Sequence, residues 1–448
     1  MTQNTLAKKG RTRFWCLLGL LILLIMVRYA FQTDIPRVIF LCVIGLIVVL
    51  GDRDEILAMI MCCIPLHESI DFFYALVLCT GVYIFKNFRQ MRMGTNMLLV
   101  LLLIVWELLH CLGTSFSVIN FLSNVIPFLV LAVIMACDMR ETDYSLVVRA
   151  VSWATLGVTL VLLVRVLYFS DFNIPLALAS LQRLGSDQHN NIQDVTIEGG
   201  QIHPNSLGIV AVLASSGLMQ LRSKGVGKKS DMLLMCSMLI FAALSTSRTY
   251  LACLAMMIFL LILSEKGGFV RKLRLIAVLC LAVAASAGAM ALLFPETFAY
   301  FVKRFTVSDI TTGRNDLMAL YHNFIVDNPK VMLWGIGLQD FGNRLIQVYK
   351  VAANTPHNSI QELIIAWGVP GLFLIGALLL SMFRVSYQQN KRQSLINWIP
   401  LIIILFKGLA GQMLTSYYTT LAFSYAYLSL CADLYPKQSA LQTDLSAR

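Results

Sequence analysis

Long apolar runs constrain this chain more than any other feature. They recur along its whole length and most are roughly 15–22 residues long, close to what a helix needs to cross the hydrocarbon core of a bilayer. In lipid a helix satisfies its own backbone donors and acceptors, so repeated runs of this kind become a bundle. Composition agrees. Of 448 residues, 58% are hydrophobic and 13% charged, whereas soluble domains are about half apolar and about a quarter charged. The expected fold is an all-α polytopic membrane protein, a helix bundle of about 12–14 transmembrane helices.

The candidate spans are 14–31, 37–50, 55–66, 71–85, 95–111, 121–137, 146–169, 206–221, 232–246, 249–264, 273–294, 363–383, 396–409 and 413–432. The first follows KKGRTR, which resembles the charged start of a signal peptide. Its apolar run is too long for such a peptide and no small-residue cleavage site follows, so a retained first span is expected. The net charge of +11 does not point to nucleic acid, because the basic residues are spread over short loops between spans. KKGRTR (8–13), KNFRQMR (86–92), RSKGVGKK (222–229), EKGGFVRKLR (265–274) and NKR (390–392) all fall on one side of the alternation. By the positive-inside rule that side is the cytoplasm, with both termini on it. Most of the eleven cysteines lie within apolar runs and no CxxC occurs, which argues against a disulfide framework or a zinc site.

Two long loops then face outward, about 170–205 and 295–362. The expected organisation is a bundle over 1–294, a large loop over 295–362, further spans within 363–436 and a cytoplasmic tail at 437–448. The large loop has helical spacing of its own. Leu317, Leu320, Tyr321, Phe324 and Ile325 predict an amphipathic helix along the membrane surface, capped by Thr311 or Thr312 and closed by NPK. WGIGLQDFG (334–342) reads as a turn. A second helical face follows at Leu338, Phe341, Leu345 and Val348.

TPHNSIQE (355–362) opens the next span. Ser359 with Glu362 fits a capping box, and Asn358 is an alternative cap. Neither accounts for His357, a group suited to taking a proton from a hydroxyl beside a bound anion. HPNSLG (203–208) is a similar stretch, in which His203, Asn205 and Ser206 also admit a capping role. Arg248 lies in a very short outward connection, and Arg314 follows a glycine; both suit anion binding through guanidinium geometry. Arg183, Arg304 and Arg344 also lie outward, and Arg165, within a span, either snorkels or lines a cavity. Asp52 and Asp54 form a D-x-D pair that can hold a metal on a sugar phosphate, but the alternation puts them in the cytoplasm as a solvated turn.

The order HPNSLG, STSRTYLACL, GRNDLMALYHNFIVDNPKVMLWGIGLQDF and PHNSIQELIIAWGVPGLF resembles the O-antigen ligase and O-antigen polymerase family of bacterial membrane proteins. Gly313–Arg314, Gly335–Ile336–Gly337, His357–Asn358 and Gly368–Val369–Pro370–Gly371 carry the resemblance, over about 200–375. It implies a GT-C-like, metal-independent, inverting glycosyltransferase without a cofactor, acting at the outer face of the bacterial plasma membrane. The implied donor is a glycan on undecaprenyl pyrophosphate. The acceptor is another lipid-linked repeat unit in the polymerase branch, which is favoured, or a lipid A core sugar in the ligase branch; a chain-length regulator is a further partner for the former. His357 would then serve as base for the acceptor hydroxyl or position it, with Arg314 and Arg248 stabilising the leaving group. His203, Asn205, Asn358, Glu362 and Arg304 would contact or orient substrate. The rival class is a transporter of lipid-linked oligosaccharide. His67, Glu68, Glu107, His110 and Lys407 lie near span ends, as such a protein requires, but no internal repeat accompanies them.

Overall fold

The structure is a computed structural model describing residues 3–112, 117–139, 142–190, 192, 195–265, 267–306, 313–351, 355–389, 394–409, 411–415 and 417–431. The regular elements among them are all helical. The first seven are α1 (Gln3–Tyr29), α2 (Arg37–Leu50), α3 (Arg53–Leu66), α4 (Phe72–Asn87), α5 (Thr95–Cys111), α6 (Val118–Met135) and α7 (Tyr144–Phe169). A long connection carrying the short α8 (Ile174–Ser180) leads to α9 (Pro204–Ser223), α10 (Lys229–Ala243), α11 (Arg248–Ser264) and α12 (Phe269–Leu293). A second holds α13 (Pro295–Thr306), α14 (Arg314–Asp327), α15 (Pro329–Trp334) and α16 (Phe341–Gln347). Then come α17 (Ser359–Gln389), α18 (Leu395–Gly408) and α19 (Tyr417–Cys431).

Every apolar run read as a span is a helix, which makes this a polytopic membrane bundle. Length separates the helices. Among the described residues, five stretches are long and apolar enough to cross a bilayer unaided: Arg11–Tyr29, Val118–Met135, Tyr144–Phe169, Pro204–Ser223 and Ser359–Gln388. Others, such as the 14-residue α2 and α18, are shorter; at 1.5 Å per residue they extend about 21 Å. The packed centre is formed by α3, α7, α9 and α19, whose residues are largely buried.

The connections gather in two groups. At one end Arg11 pairs with Asp143 (2.6 Å), Arg13 with Glu55 (3.7 Å) and Arg149 with Asp231 (3.0 Å). There Lys86 also donates to the carbonyl of Gly51 (2.7 Å), and Arg53 to that of Asp138 (2.6 Å). These are the connections that alternation placed on the basic side. NKR (390–392) and the tail at 437–448 lie outside the described residues. Asp52 is exposed in the turn between α2 and α3, as expected, and there it caps α3: its Oδ1 accepts from Glu55 N (2.9 Å) and Glu55 Oε2 accepts from Asp52 N (3.1 Å).

The large connection is more helical than its sequence pattern predicts. α13 and α15 were not expected, and Pro329 starts α15 directly where NPK closes α14. α14 buries Tyr321, Phe324 and Ile325 against α15 and α17, so its apolar face is covered by protein. The expected caps Thr311 and Thr312 lie outside the described residues; α14 starts after Gly313, which has φ 75°. In α16 Phe341 and Leu345 are buried, whereas Val348 is exposed because the helix ends at Gln347.

This connection is locked to the bundle through a break in α17. Gly368 has φ 65° and ψ −167° inside an otherwise continuous helix, which frees carbonyls ahead of it. Ile365 O accepts from Ile336 N (2.8 Å), Ala366 O from Gly337 N (2.7 Å) and Trp367 O from Trp106 Nε1 (3.0 Å). The backbones approach so closely that a Cβ on Gly335 or Gly368 would collide with the facing chain. Glu107 completes the joint from α5, accepting from Leu338 N (2.9 Å) and Trp367 Nε1 (2.7 Å).

Candidate active site

At the end of the bundle opposite the basic loops is an open cavity of about 530 Å³. Its lining includes His67, Glu68, His203, Asn205, Thr249, Arg314, His357, Lys407, Gln412, Thr415, Tyr417 and Tyr418. Most of these side chains are delivered by helix ends, and Gln412 and Thr415 by the turn between α18 and α19. His67 and Glu68 follow α3, His203 and Asn205 start α9, Thr249 and Arg314 start α11 and α14, and Lys407 closes α18.

His203 is the N-cap of α9. Its Nδ1 accepts from Asn205 N (3.2 Å), and Pro204 occupies the first turn, where no backbone donor is needed. An accepting Nδ1 puts the proton of the neutral ring on Nε2. Asn205 faces the next connection, its Oδ1 accepting from Ser247 Oγ (2.6 Å). Ser247 also caps α11, accepting from Tyr250 N, and so fixes the start of the helix that carries Arg248. Arg183 stiffens the same turn through Ser245 O (3.2 Å), and Leu184 N donates to Leu244 O (2.9 Å). Arg165, read as snorkelling or cavity-lining, does neither. It is 1% exposed and pairs with Asp187 (2.7 Å), anchoring the connection before His203.

His357 stands at the mouth of α17 with φ 51°, a left-handed conformation unusual for a residue with a Cβ. Thr355 Oγ1 lies 3.5 Å from its Nε2. Asn358, not Ser359, caps the helix: its Oδ1 accepts from Ile360 N (3.0 Å) and Gln361 N (3.2 Å). Glu362 does not close a capping box. It is fully buried and reaches back to the α18–α19 turn, accepting from Met413 N (2.6 Å), Leu414 N (3.0 Å) and Thr415 N (2.9 Å). Ser359 Oγ joins it on Gly411 O (3.1 Å). The sequence could not show this pairing, because the two segments are about fifty positions apart and only the fold brings them together.

The electrostatics are those of an anion site. Burial, then the like charges of Arg248 and Arg304, pushes the pKa of Arg314 down. Burial and neighbouring Arg248 do the same to Arg304, and burial with Arg304 lowers Arg183 to about 10. Such crowding of cations is relieved by a bound anion. Both histidines are also shifted down. For His203 burial comes first and Arg183 second; for His357 burial comes first and Arg314 second. Each ring therefore stays neutral at pH 7.

Of the residues singled out in the sequence, His203, Asn205, Arg314 and His357 line the cavity together. Arg248 stands behind the wall, donating to the carbonyl of Arg304. Asn358 and Glu362 lie beneath it as the cap and the turn anchor. The sequence reading passed over Lys407, Tyr417 and Tyr418 as site residues. Lys407 Nζ sits 5.5 Å from the Tyr418 ring centre and donates to Thr419 Oγ1 (3.1 Å) and to the carbonyl of Gln412. A lysine at the non-basic end of a span breaks the positive-inside pattern, so the signal that marked Arg248 also applied to Lys407.

Comparison with known proteins gives one family. Residues 233–376 match the family model described as O-antigen ligase, which supports assigning the chain to the O-antigen ligase/polymerase family. The matched segment runs from α10 into α17 and includes Thr249 and Arg314 of the cavity wall, together with His357. No curated protein matches the sequence.

Proposed function

We propose that this chain, whose residues 233–376 match the O-antigen ligase family model, transfers a glycan from a polyprenyl-diphosphate donor to a sugar hydroxyl in the cavity described above. The observation that carries the reading is the convergence of Arg314, Lys407 and two neutral histidines on one open cavity at a bundle end. The reacting bond joins the anomeric carbon to a phosphate oxygen. As it breaks, negative charge grows on the diphosphate. Arg314 and Lys407 face the place where that charge develops, with Arg248, Arg304 and Arg183 adding to the positive field behind them. The incoming hydroxyl forms the new bond on the opposite face, inverting the anomeric centre, and gives its proton to the neutral ring of His357. His203, which caps through Nδ1, offers Nε2–H as a hydrogen-bond donor instead. Asn358 and Glu362 act on positioning: the first sets the entry of α17 behind His357, the second holds the turn that carries Gln412 and Thr415.

We place the reaction on the outer face of a bacterial plasma membrane, with a second lipid-linked repeat unit as acceptor, so that the product is a polymer. The test uses membranes or purified protein supplied with the lipid-linked repeat unit, read as a ladder of oligomers on a gel. The wild type is expected to extend the glycan with or without EDTA, and His357→Ala and Arg314→Ala to be expressed and inactive. Activity surviving both substitutions overturns the site. Transfer to lipid A core without a ladder moves the chain to the ligase branch.

A further inference from the structure

The cavity is not uniformly cationic. Glu68 is the one acidic side chain among its described lining residues, half exposed on the wall between α3 and α4. A lone carboxylate in a diphosphate site repels the ligand, so it must face another part of it. Its surroundings show that it is held in place. His67 Nδ1 lies 2.8 Å from Ile64 O and its Nε2 lies 3.4 Å from Glu68 Oε1; both oxygens only accept, so the ring ties Glu68 to Ile64 O when both of its nitrogens carry a proton. The His67 ring is stacked on Tyr418 at 4.7 Å and 25°, and Tyr417 is stacked on Phe72 at 6.3 Å and 28°. From the backbone side, Gly200 N donates to Glu68 O (3.0 Å), tying this turn to the connection that ends in His203.

A carboxylate that shares a cavity wall with Tyr417 and Tyr418 suits a saccharide, whose hydroxyls donate hydrogen bonds and whose ring faces are apolar. It does not match a phosphate or a lipid chain. We infer that Glu68, beside His67, is a saccharide-recognition residue: it accepts hydrogen bonds from sugar hydroxyls in the cavity, and so helps determine which glycan is used. On this reading Arg314 faces the diphosphate and Glu68 faces the sugar. The hydrogen bond from His67 lowers the pKa of Glu68 against the opposing effect of burial and so favours the acceptor form.

This inference rests on the transferase reading, and the experiment separates the two. Full-length protein in detergent is assayed with two probes: farnesyl diphosphate, which has no sugar, and the lipid-linked repeat unit extracted from the source cells. Glu68→Gln keeps the side-chain shape and removes the charge. It is expected to raise KM for the repeat unit about tenfold, the effect of weakening one charge-assisted hydrogen bond. The inhibition constant of farnesyl diphosphate should stay within about twofold. Arg314→Ala, which makes no product, should weaken the binding of farnesyl diphosphate when that is measured directly by calorimetry. If Glu68→Gln leaves the KM unchanged, or raises both constants together, the recognition role is overturned while the transferase reading stands. If wild type makes no product and farnesyl diphosphate does not bind, both fall. Should Glu68→Gln fail to insert, Glu68→Asp reads the same pair of constants, since its carboxylate is one methylene short of the sugar.

Discussion

At the scale of the residue, the two histidines look alike in sequence and differ in the fold. His203 uses Nδ1 to cap α9, whereas His357 sits in a left-handed backbone ahead of α17, capped by its neighbour Asn358. A non-glycine residue at such a φ costs about 1–3 kcal/mol and is kept where the position matters. Substitution should tell them apart. His203→Asn keeps an acceptor at the cap and is expected to leave melting nearly unchanged, while His203→Ala loses about 1 kcal/mol of stability. His357→Ala is expected to lower turnover by at least about 100-fold with little change in melting. The pH profile follows from the sign of the shift. A depressed pKa keeps the ring neutral to lower pH, so a rate that needs the free base holds as pH falls past about 6.5 and declines only below it. The same depression means that the unfolded chain takes up protons first, so stability also declines as pH falls from about 6.5 toward the folded value. A rate already half lost near pH 7 would contradict this environment for His357. The capping function of HPN and HNS was legible in the sequence, since caps are local. The different tasks of the rings were not, since they depend on what lies across the cavity.

At the scale of the element, the helices were legible and their joints were not. Apolar periodicity located the bundle helices and the amphipathic α14, because burial against lipid or protein leaves a mark on every turn. It did not single out α13 or α15, and the apolar face it read for α14 packs on α15 and α17. The joints are made by buried carboxylates that look unremarkable in the chain. Glu107 receives the glycine turn and Glu362 receives the α18–α19 turn, each through backbone amides. Removing Glu362 would leave buried donors unsatisfied. Glu362→Ala is therefore expected to cost at least about 2 kcal/mol, seen as a fall in thermal melting of the detergent-solubilised protein. Turnover should fall with it, because the turn it holds carries Gln412 and Thr415 at the cavity. Normal melting with normal activity would show that the turn needs no such anchor.

At the scale of the whole molecule, the charge pattern of short loops divided the connections into two groups, and the ion pairs and the cavity respect that division. Orientation in the membrane follows as an expected outcome. A cysteine placed at Asn343 in α16 should react with an impermeant maleimide in intact spheroplasts, above the background of the native thiols. One placed at Arg222 should react only after permeabilisation. The reverse pattern would turn the site to the cytoplasm and end the proposed reaction. The family match covers 233–376, yet the cavity wall also uses His67 and Glu68 near the start of the chain and Tyr418 near its end. The consequence is temporal. While the ribosome is still feeding the chain into the membrane, His67, His203, Arg314 and His357 are in place before Lys407, Gln412, Thr415, Tyr417 and Tyr418 have been made. The cavity wall is therefore completed only when α18 and α19 dock on helices inserted long before them, and a nascent chain stopped short of α18 carries an incomplete wall.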